Sequence, residues 1–419
     1  MTSDQLTRPA GSAASPAGPA PHGGAPTPRP VRLPFVVYVL AVGTFLMLTT
    51  EFVVAGLLPE IAGDLQVSVA QAGLLITVFA VGMIVGSPTM ALLTRRMPHR
   101  VTLVLALAVF AAGHVVVAVG SSFPLLLAAR FGTAWATGAF WSVASVVATR
   151  AAGPAASARA LGLVGAGGML ANVVGVPLGA FAGQLSGWRG PFWALAALAL
   201  AAVPLIARHV PREDDQQSVS VRSELGAMRS GRLWLVLAAC AATTGGVLSA
   251  YSYISPLLTD RAGIATGWVP LVLVGFGVGS LIGTVAGGRL GDVRPHATTI
   301  AVAASTTVVL LAICLLSADP VPTVLLVTLL GLLGLSANPM LSSLAVRFAG
   351  VAPTLGVAMS VSAYNLGTAV GSWTAGRALD SELGAIGPAV VGTTFAALTL
   401  IPTIAISVLQ RRSVPGGGP

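Results

Sequence analysis

Glu51 lies within the first of several long apolar stretches in a chain of 419 residues, and no other acidic residue falls inside any of them. A carboxylate at membrane depth costs about 2.5–3.5 kcal/mol on insertion scales, so a chain that keeps one there implies a use and a partner for it. Arg130, the one basic residue within a stretch, is the expected partner. Glu51 stands seven residues before the end of the first stretch and Arg130 six residues into the fourth. At 1.5 Å of rise per residue, both lie roughly 10 Å from the same side. A carboxylate beside a guanidinium can carry a proton, because a change in their contact or hydration changes its proton affinity. Two other readings stay open: a purely structural salt bridge, and an Arg130 that snorkels alone to the interface.

Softer candidates surround this pair. Phe52, Phe79, Trp135, Tyr251, Tyr253 and Tyr364 could line an aromatic cavity, or serve as packing and interfacial residues. Asn172 and Asn365 could hydrogen-bond a substrate or tie neighbouring helices together. His114 reads either as a proton relay or as a satisfied packing residue, with no acidic neighbour in its own stretch. Enzyme chemistry finds no support. No His, Cys, Asp or Glu cluster has metal-ligand spacing, and with no Lys in the chain there is no phosphate-cradling Gly-Lys-Ser/Thr. No cofactor is expected beyond a proton as coupling ion.

The elements that must position these residues follow from composition. With 55% hydrophobic and 8% charged residues and a mean hydropathy of +0.88, the chain lacks the surface of a soluble domain and reads as an integral membrane protein. Residues 1–32 are rich in Pro, Ala, Gly and Ser and predict a disordered cytoplasmic tail rather than a signal peptide. Cutting the remainder at charges and turn residues gives twelve spans, each near the ~20 residues that cross a bilayer: 35–58, 71–94, 101–120, 124–150, 157–183, 190–208, 232–256, 267–289, 298–317, 321–345, 355–379 and 388–410. The predicted organisation is an N-terminal six-helix half (33–208), a central loop (209–231), a C-terminal half (232–410) and a tail (411–419). All 22 basic residues are Arg, and an N-terminus placed inside puts eighteen of them on the cytoplasmic side. The positive-inside rule then predicts both termini in the cytoplasm, and loop arginines beside anionic lipid explain the net charge of +9 without nucleic acid. Cys240 and Cys314 sit in separate spans and read as packing residues.

The halves repeat. Phe79-x-Val81-Gly82-x-x-x-Gly86 returns 197 residues later as Phe276-x-Val278-Gly279-x-x-x-Gly283, and Pro59 returns as Pro256. Leu248 stands where the repeat would place a second Glu51. Duplicated six-span halves put a substrate site near the midplane where they meet, with transport by rocking about it. The fifth span is dense in Gly, including Gly175 and Gly179, with Pro177 between them. Gly allows close helix contact and Pro bends the helix, so a moving interface is expected there.

Thr50-Glu51-Phe52, the run Asn172-Val173-Val174-Gly175-Val176-Pro177-Leu178-Gly179 with Gly187-Trp188-Arg189 after it, and Gly287-Gly288-Arg289-Leu290-Gly291-Asp292 together resemble the major facilitator superfamily. Within it they resemble the twelve-span drug:proton antiporters, near the arabinose-efflux-like and actinobacterial chloramphenicol-efflux proteins. The resemblance spans residues 34–409. It implies an all-α membrane protein, twelve transmembrane helices in two pseudo-symmetric six-helix halves. It gives Gly175, Pro177, Gly179, Gly288 and Asp292 a conformational role, and Arg95 and Arg100 a place at a cytoplasmic gate. Met90 and Thr94 stand where the family usually has Gly and Asp in that gate loop. The implied activity is proton-coupled export of a small hydrophobic drug, chloramphenicol or a related amphenicol, by a monomer in a bacterial cell membrane. The partners implied are a small-molecule substrate and the lipid bilayer. Export of a sugar, purine or natural product, and a non-transporting sensor on the same scaffold, remain as alternatives.

Overall fold

In the computed structural model the described residues are 33–93, 97–153, 156–211, 228, 230–350 and 353–413. The tail at 1–32, Thr94, Arg95, Arg96 and most of the central loop lie outside them. Twelve long helical segments follow one another: α1 (Phe35–Gly56), α2 (Val69–Leu93), α3 (His99–Val119), α4 (Phe123–Ala152), α5 (Ser157–Leu170, continuing through Ala171–Gly175 and Val176–Ser186) and α6 (Gly190–His209) form the N-half. The C-half comprises α7 (Gly231–Ser252), α8 (Val269–Val293), α9 (Pro295–Leu316), α10 (Pro320–Phe348), α11 (Pro353–Leu379) and α12 (Gly387–Ser413). No strand occurs among the described residues. The helix ends fall within about a turn of the positions expected from charges and turn residues.

Eleven of these helices are long and apolar enough to cross a bilayer by composition, and α11 is not among them. Its side chains explain why. Ser360, Asn365, Thr368 and Ser372 are buried, while Val357, Leu366, Val370 and Trp373 are exposed. The polar groups that lower its mean hydropathy face protein, and the face left for lipid is apolar, so its 27 residues complete the twelve.

The repeat is visible in the packing. In the N-half, α1 packs on α5, α2 on α4 and α3 on α6; in the C-half, α7 packs on α11, α8 on α10 and α9 on α12. Between the halves, α2 lies along α11 and α5 along α8. Their apolar cores join at one end only. There Val53–Leu58 of the N-half, Tyr251, Tyr253, Leu257 and Phe276 form one continuous core. Towards the other end each half has its own, one around Leu40, Leu107 and Phe140, the other around Leu237, Leu341 and Ile406.

Hydrogen bonds between described residues of the two halves gather at the joined end. Ser255 donates to the Ala55 carbonyl (3.2 Å), Gln184 to the Thr266 carbonyl (2.6 Å) and Ser68 to Asp380 (3.5 Å). The Tyr253 hydroxyl reaches the Ser372 carbonyl at 3.1 Å and the Ala70 carbonyl at 3.5 Å. Its ring fits because Gly73 of α2 and Gly376 of α11 have no side chains where its phenol lies. Loops at this end are tied by Arg189, which bonds Asp64 (2.5 Å) and the Gly120 carbonyl (3.1 Å) and stacks on Trp188.

Candidate functional site

The α-helical part of α1 ends at Val53, and a tighter 3-10 turn, Val54–Gly56, follows. A change of helix type alters which backbone carbonyls keep an i+4 partner. Here the Val54 N–H turns to the Phe52 carbonyl, and the Thr50 carbonyl is taken by Arg130. Arg130 is only 1% exposed. Its Nη1 donates to the Thr50 carbonyl (3.0 Å) and to Thr50 Oγ1 (2.8 Å), its Nη2 to the Glu51 carbonyl (3.4 Å), and its Nε to the Leu75 carbonyl of α2 (3.3 Å). The Phe79 ring lies 4.3 Å below the guanidinium carbon. A buried cation is tolerated when its donors are used and an aromatic face supports it.

Glu51 is half-buried. Met47 and Ala55, one turn to either side on the same helix face, are 1% and 0% exposed, so this face of α1 points into the bundle rather than to lipid. Arg130 meets Glu51 through the backbone carbonyl, and the two side chains do not form an ion pair in this conformation. The physical reason is local: the guanidinium is already engaged by the carbonyls of the altered turn.

The site takes in His114, which the sequence left open between proton relay and packing residue. Thr50 Oγ1 lies 2.7 Å from His114 Nε2, and His114 Nδ1 lies 2.7 Å from the Phe110 carbonyl. His114 is 1% exposed and stacks on Phe110 at 4.0 Å between ring centroids. The signal was available in depth rather than in neighbours along the chain. His114 stands five residues before the end of α3, at the same level as Glu51 and Arg130.

The other expected residues distribute as follows. Phe52 is half-buried and meets Tyr251 edge-on at 5.8 Å; Tyr251 is 2% exposed and stacks on Phe276 at 4.2 Å. Phe79 lies beneath Arg130. Glu51, Phe52, Phe79, Arg130 and Tyr251 are thus brought together. Tyr253 is buried in the joined end, and the half-buried Trp135 donates to Thr89 Oγ1 further along α4 (2.9 Å). Tyr364 donates to the Asn338 carbonyl (2.8 Å), linking α11 to α10. Asn365 donates to the Val361 carbonyl (3.0 Å), and its Oδ1 is buried without a partner. Asn172 lies in the π turn of α5, where its carbonyl backs onto Gly277 of α8.

Gly175 and Gly179 of α5 receive Thr49 and Val53 of α1, so the helix that carries Glu51 rests in a glycine groove with the buried Pro177 between. Gly288 and the exposed Asp292 lie near the end of α8, and Arg100 is half-buried at the start of α3. Arg95 lies outside the described residues. One more carboxylate stands close by. Glu60, in the short helix Leu58–Leu65 beyond α1, is half-buried with Oε2 unpartnered, and burial pushes its carboxyl above the ordinary value against a smaller opposing pull from its own backbone N–H.

Comparison with known proteins adds four findings. The Major Facilitator Superfamily model matches residues 40–372. The chain is 36% identical to the chloramphenicol resistance protein of Streptomyces lividans over 361 residues, 85% of this chain and 92% of that protein. It is 31% identical to the inner membrane transport protein YdhP of Escherichia coli K12 over 371 residues, 88% and 95% of the two chains. Among solved structures it is similar to a bacterial homologue of the human lysosomal transporter Spinster in an inward-facing, occupied conformation (TM-score 0.69, 16% identity, 90% and 97% covered).

Proposed function

We propose that this chain, which belongs to the major facilitator superfamily of membrane transporters, is a proton-coupled antiporter that exports a small, uncharged, hydrophobic drug, with chloramphenicol or a related amphenicol as substrate. The observation that carries the coupling is Glu51, an interior carboxylate beside a buried Arg130 on a helix that changes type at that point. The choice of substrate rests on likeness to the Streptomyces lividans resistance protein and on aromatic rings, Phe52 and Tyr251, beside the carboxylate.

With the termini inside, as the arginine distribution favours, we take the joined end as the outer one and the separated cores of the two halves as the inward-facing side. Drug enters from the cytoplasm while Glu51 is ionised. The halves rock about the site, Glu51 takes a proton from outside as drug leaves, and the empty carrier returns the proton inward. Arg130 stabilises the ionised carboxylate when the two side chains approach, and the guanidinium held on the helix carbonyls corresponds to the inward-facing carrier before it gives up its proton. One proton crossing 100 mV supplies about 2.3 kcal/mol, enough for a roughly fifty-fold gradient of a neutral solute.

The test is labelled chloramphenicol accumulation in an efflux-deficient bacterium expressing wild type or Glu51→Gln, with and without a protonophore. Low accumulation in wild type, restored to the empty-vector level by the substitution or the protonophore, is the expected result. Equal accumulation in all cells, with both proteins confirmed in the membrane, overturns the amphenicol assignment. Undiminished uphill export by Glu51→Gln removes Glu51 from coupling.

A further inference from the structure

Every donor in the Arg130 network has a direction that the partners fix. The Phe110 carbonyl can only accept, so in the neutral ring His114 Nδ1 carries the proton and Nε2 accepts. The Thr50 hydroxyl therefore donates to His114 Nε2, and its oxygen lone pairs face Arg130 Nη1. The chain of bonds runs Arg130 to Thr50 to His114 to the Phe110 carbonyl. Thr50 also departs from the habit of its neighbours. Thr44, Thr49 and Thr137 turn their hydroxyls back to the carbonyl four residues earlier, the usual way for a threonine inside a helix. Thr50 turns out of α1, and the acceptor that draws it out is His114.

From this geometry we infer that His114 is a positioning residue for the proton site: through the Thr50 hydroxyl it holds Arg130 on the backbone of α1 and off the Glu51 carboxylate. The inference rests on the reading that Glu51 carries the proton. The ionisable groups that these contacts bring near Glu51 are few. Arg130 comes from α4, His114 from α3 through Thr50, and Tyr251 from α7 beside Phe52. Helix α2 has no ionisable residue over 69–93, and Arg159 of α5 lies at that helix's far end. With so sparse a set, moving Arg130 by one hydrogen-bond length is the largest electrostatic change available to the carboxylate. If the Thr50 tether is cut, Nη1 loses an acceptor and the guanidinium is free to turn to Glu51, whose ionised form then persists to lower pH.

The measurement is infrared titration of the Glu51 carboxyl band in the purified full-length protein, with the band assigned by its loss in Glu51→Gln. Thr50→Val and His114→Leu should each move the midpoint down by about one pH unit. The double variant should move no further, because both cuts release the same tether. Thr50→Ser and His114→Gln keep the donor and the acceptor and should restore the wild-type midpoint. A midpoint unmoved by Thr50→Val and His114→Leu, while Glu51 still titrates, reduces His114 to packing and overturns the inference alone. A wild-type protein with no titrating Glu51 band overturns the proton-carrier reading and this inference with it.

Discussion

The two halves pack alike and differ in what they bury. In the N-half, Gly82 and Gly86 of α2 press on Phe131, Ala134 and Trp135 of α4; in the C-half, Gly279 and Gly283 of α8 press on Thr328 and Leu332 of α10. The step from 82 to 279 is the step from 131 to 328 and from 135 to 332, so the contact itself is repeated. The polar cluster is not. Val247, Leu248 and Val327 stand 197 residues after Thr50, Glu51 and Arg130. Helices α3 and α9 begin 196 residues apart, which sets Leu310 against His114. All four C-half residues are aliphatic and at most 5% exposed. The architecture is therefore satisfied by hydrocarbon at these positions. In a low-dielectric interior a buried cation, an imidazole and a carboxylate add cost without adding packing, and the half that carries them is the half where chemistry is expected.

Exchanging residues between the halves tests this difference. Arg130→Val gives the N-half the residue found at Val327, removes the donor to the Thr50 hydroxyl and the Thr50 carbonyl and isolates Glu51. Uphill export should disappear, with chloramphenicol accumulation rising to the empty-vector level at equal membrane expression, while Val327→Leu should change it less than about two-fold, because it keeps the position aliphatic and its one added methylene strains packing away from the Glu51 cluster. Export surviving Arg130→Val would mean that the asymmetry is incidental. The shared contact makes the opposite demand. A methyl group at Gly82 meets the Phe131 carbonyl at 2.8 Å, and one at Gly279 meets the Leu332 amide at 2.9 Å. Backbone cannot yield as a side-chain tip can, so Gly82→Ala and Gly279→Ala should each cost about 1–3 kcal/mol, read as similar losses of thermal stability in detergent. A loss confined to one half would break the packing equivalence.

The repeated contact was legible in the sequence because Gly at a four-residue spacing, bounded by apolar residues, has one common use in a membrane helix. Helix limits were legible for the same kind of reason, since charges and prolines mark where a span leaves hydrocarbon. Even α11, the least apolar helix, kept its length and flanks; only the inward aim of Ser360, Asn365 and Ser372 needed coordinates. The acid and the arginine could be paired from depth alone. What coordinates added is which atoms meet. A carbonyl freed where α1 tightens at Val54 has no signature in residue types, and neither does a threonine rotamer. For that reason Arg130 was expected on the Glu51 carboxylate and is found on the Glu51 and Thr50 backbone. Tyr253 shows the same limit: an aromatic residue near a span end fits a cavity wall and an inter-helix tie equally well until Gly73 and Gly376 are seen on either side of it.

Glu60 extends the comparison beyond the membrane spans, with the smallest expected effect. Pro59-Glu60 in the N-half corresponds to Pro256-Leu257 in the C-half, and Leu257 is 2% exposed. Burial raises the Glu60 carboxyl above its ordinary value, so the fold favours the protonated form. The sign of the pH dependence follows. The contribution of Glu60 to stability is fully present below the unfolded-chain value, and it is lost as pH rises through the raised folded value. At neutral pH the ionised group, with Oε2 unpartnered, is a small liability that the C-half avoids. Glu60→Leu should raise the Tm of the purified protein at pH 7–8 by only about a degree or two, because a half-buried carboxylate is still screened by water. Glu60→Gln should recover most of that gain while keeping the side-chain shape. Both gains should shrink as the pH falls towards 4, where wild-type Glu60 becomes neutral. A gain independent of pH would assign the difference between Glu60 and Leu257 to packing and separate it from the charge asymmetry at Glu51.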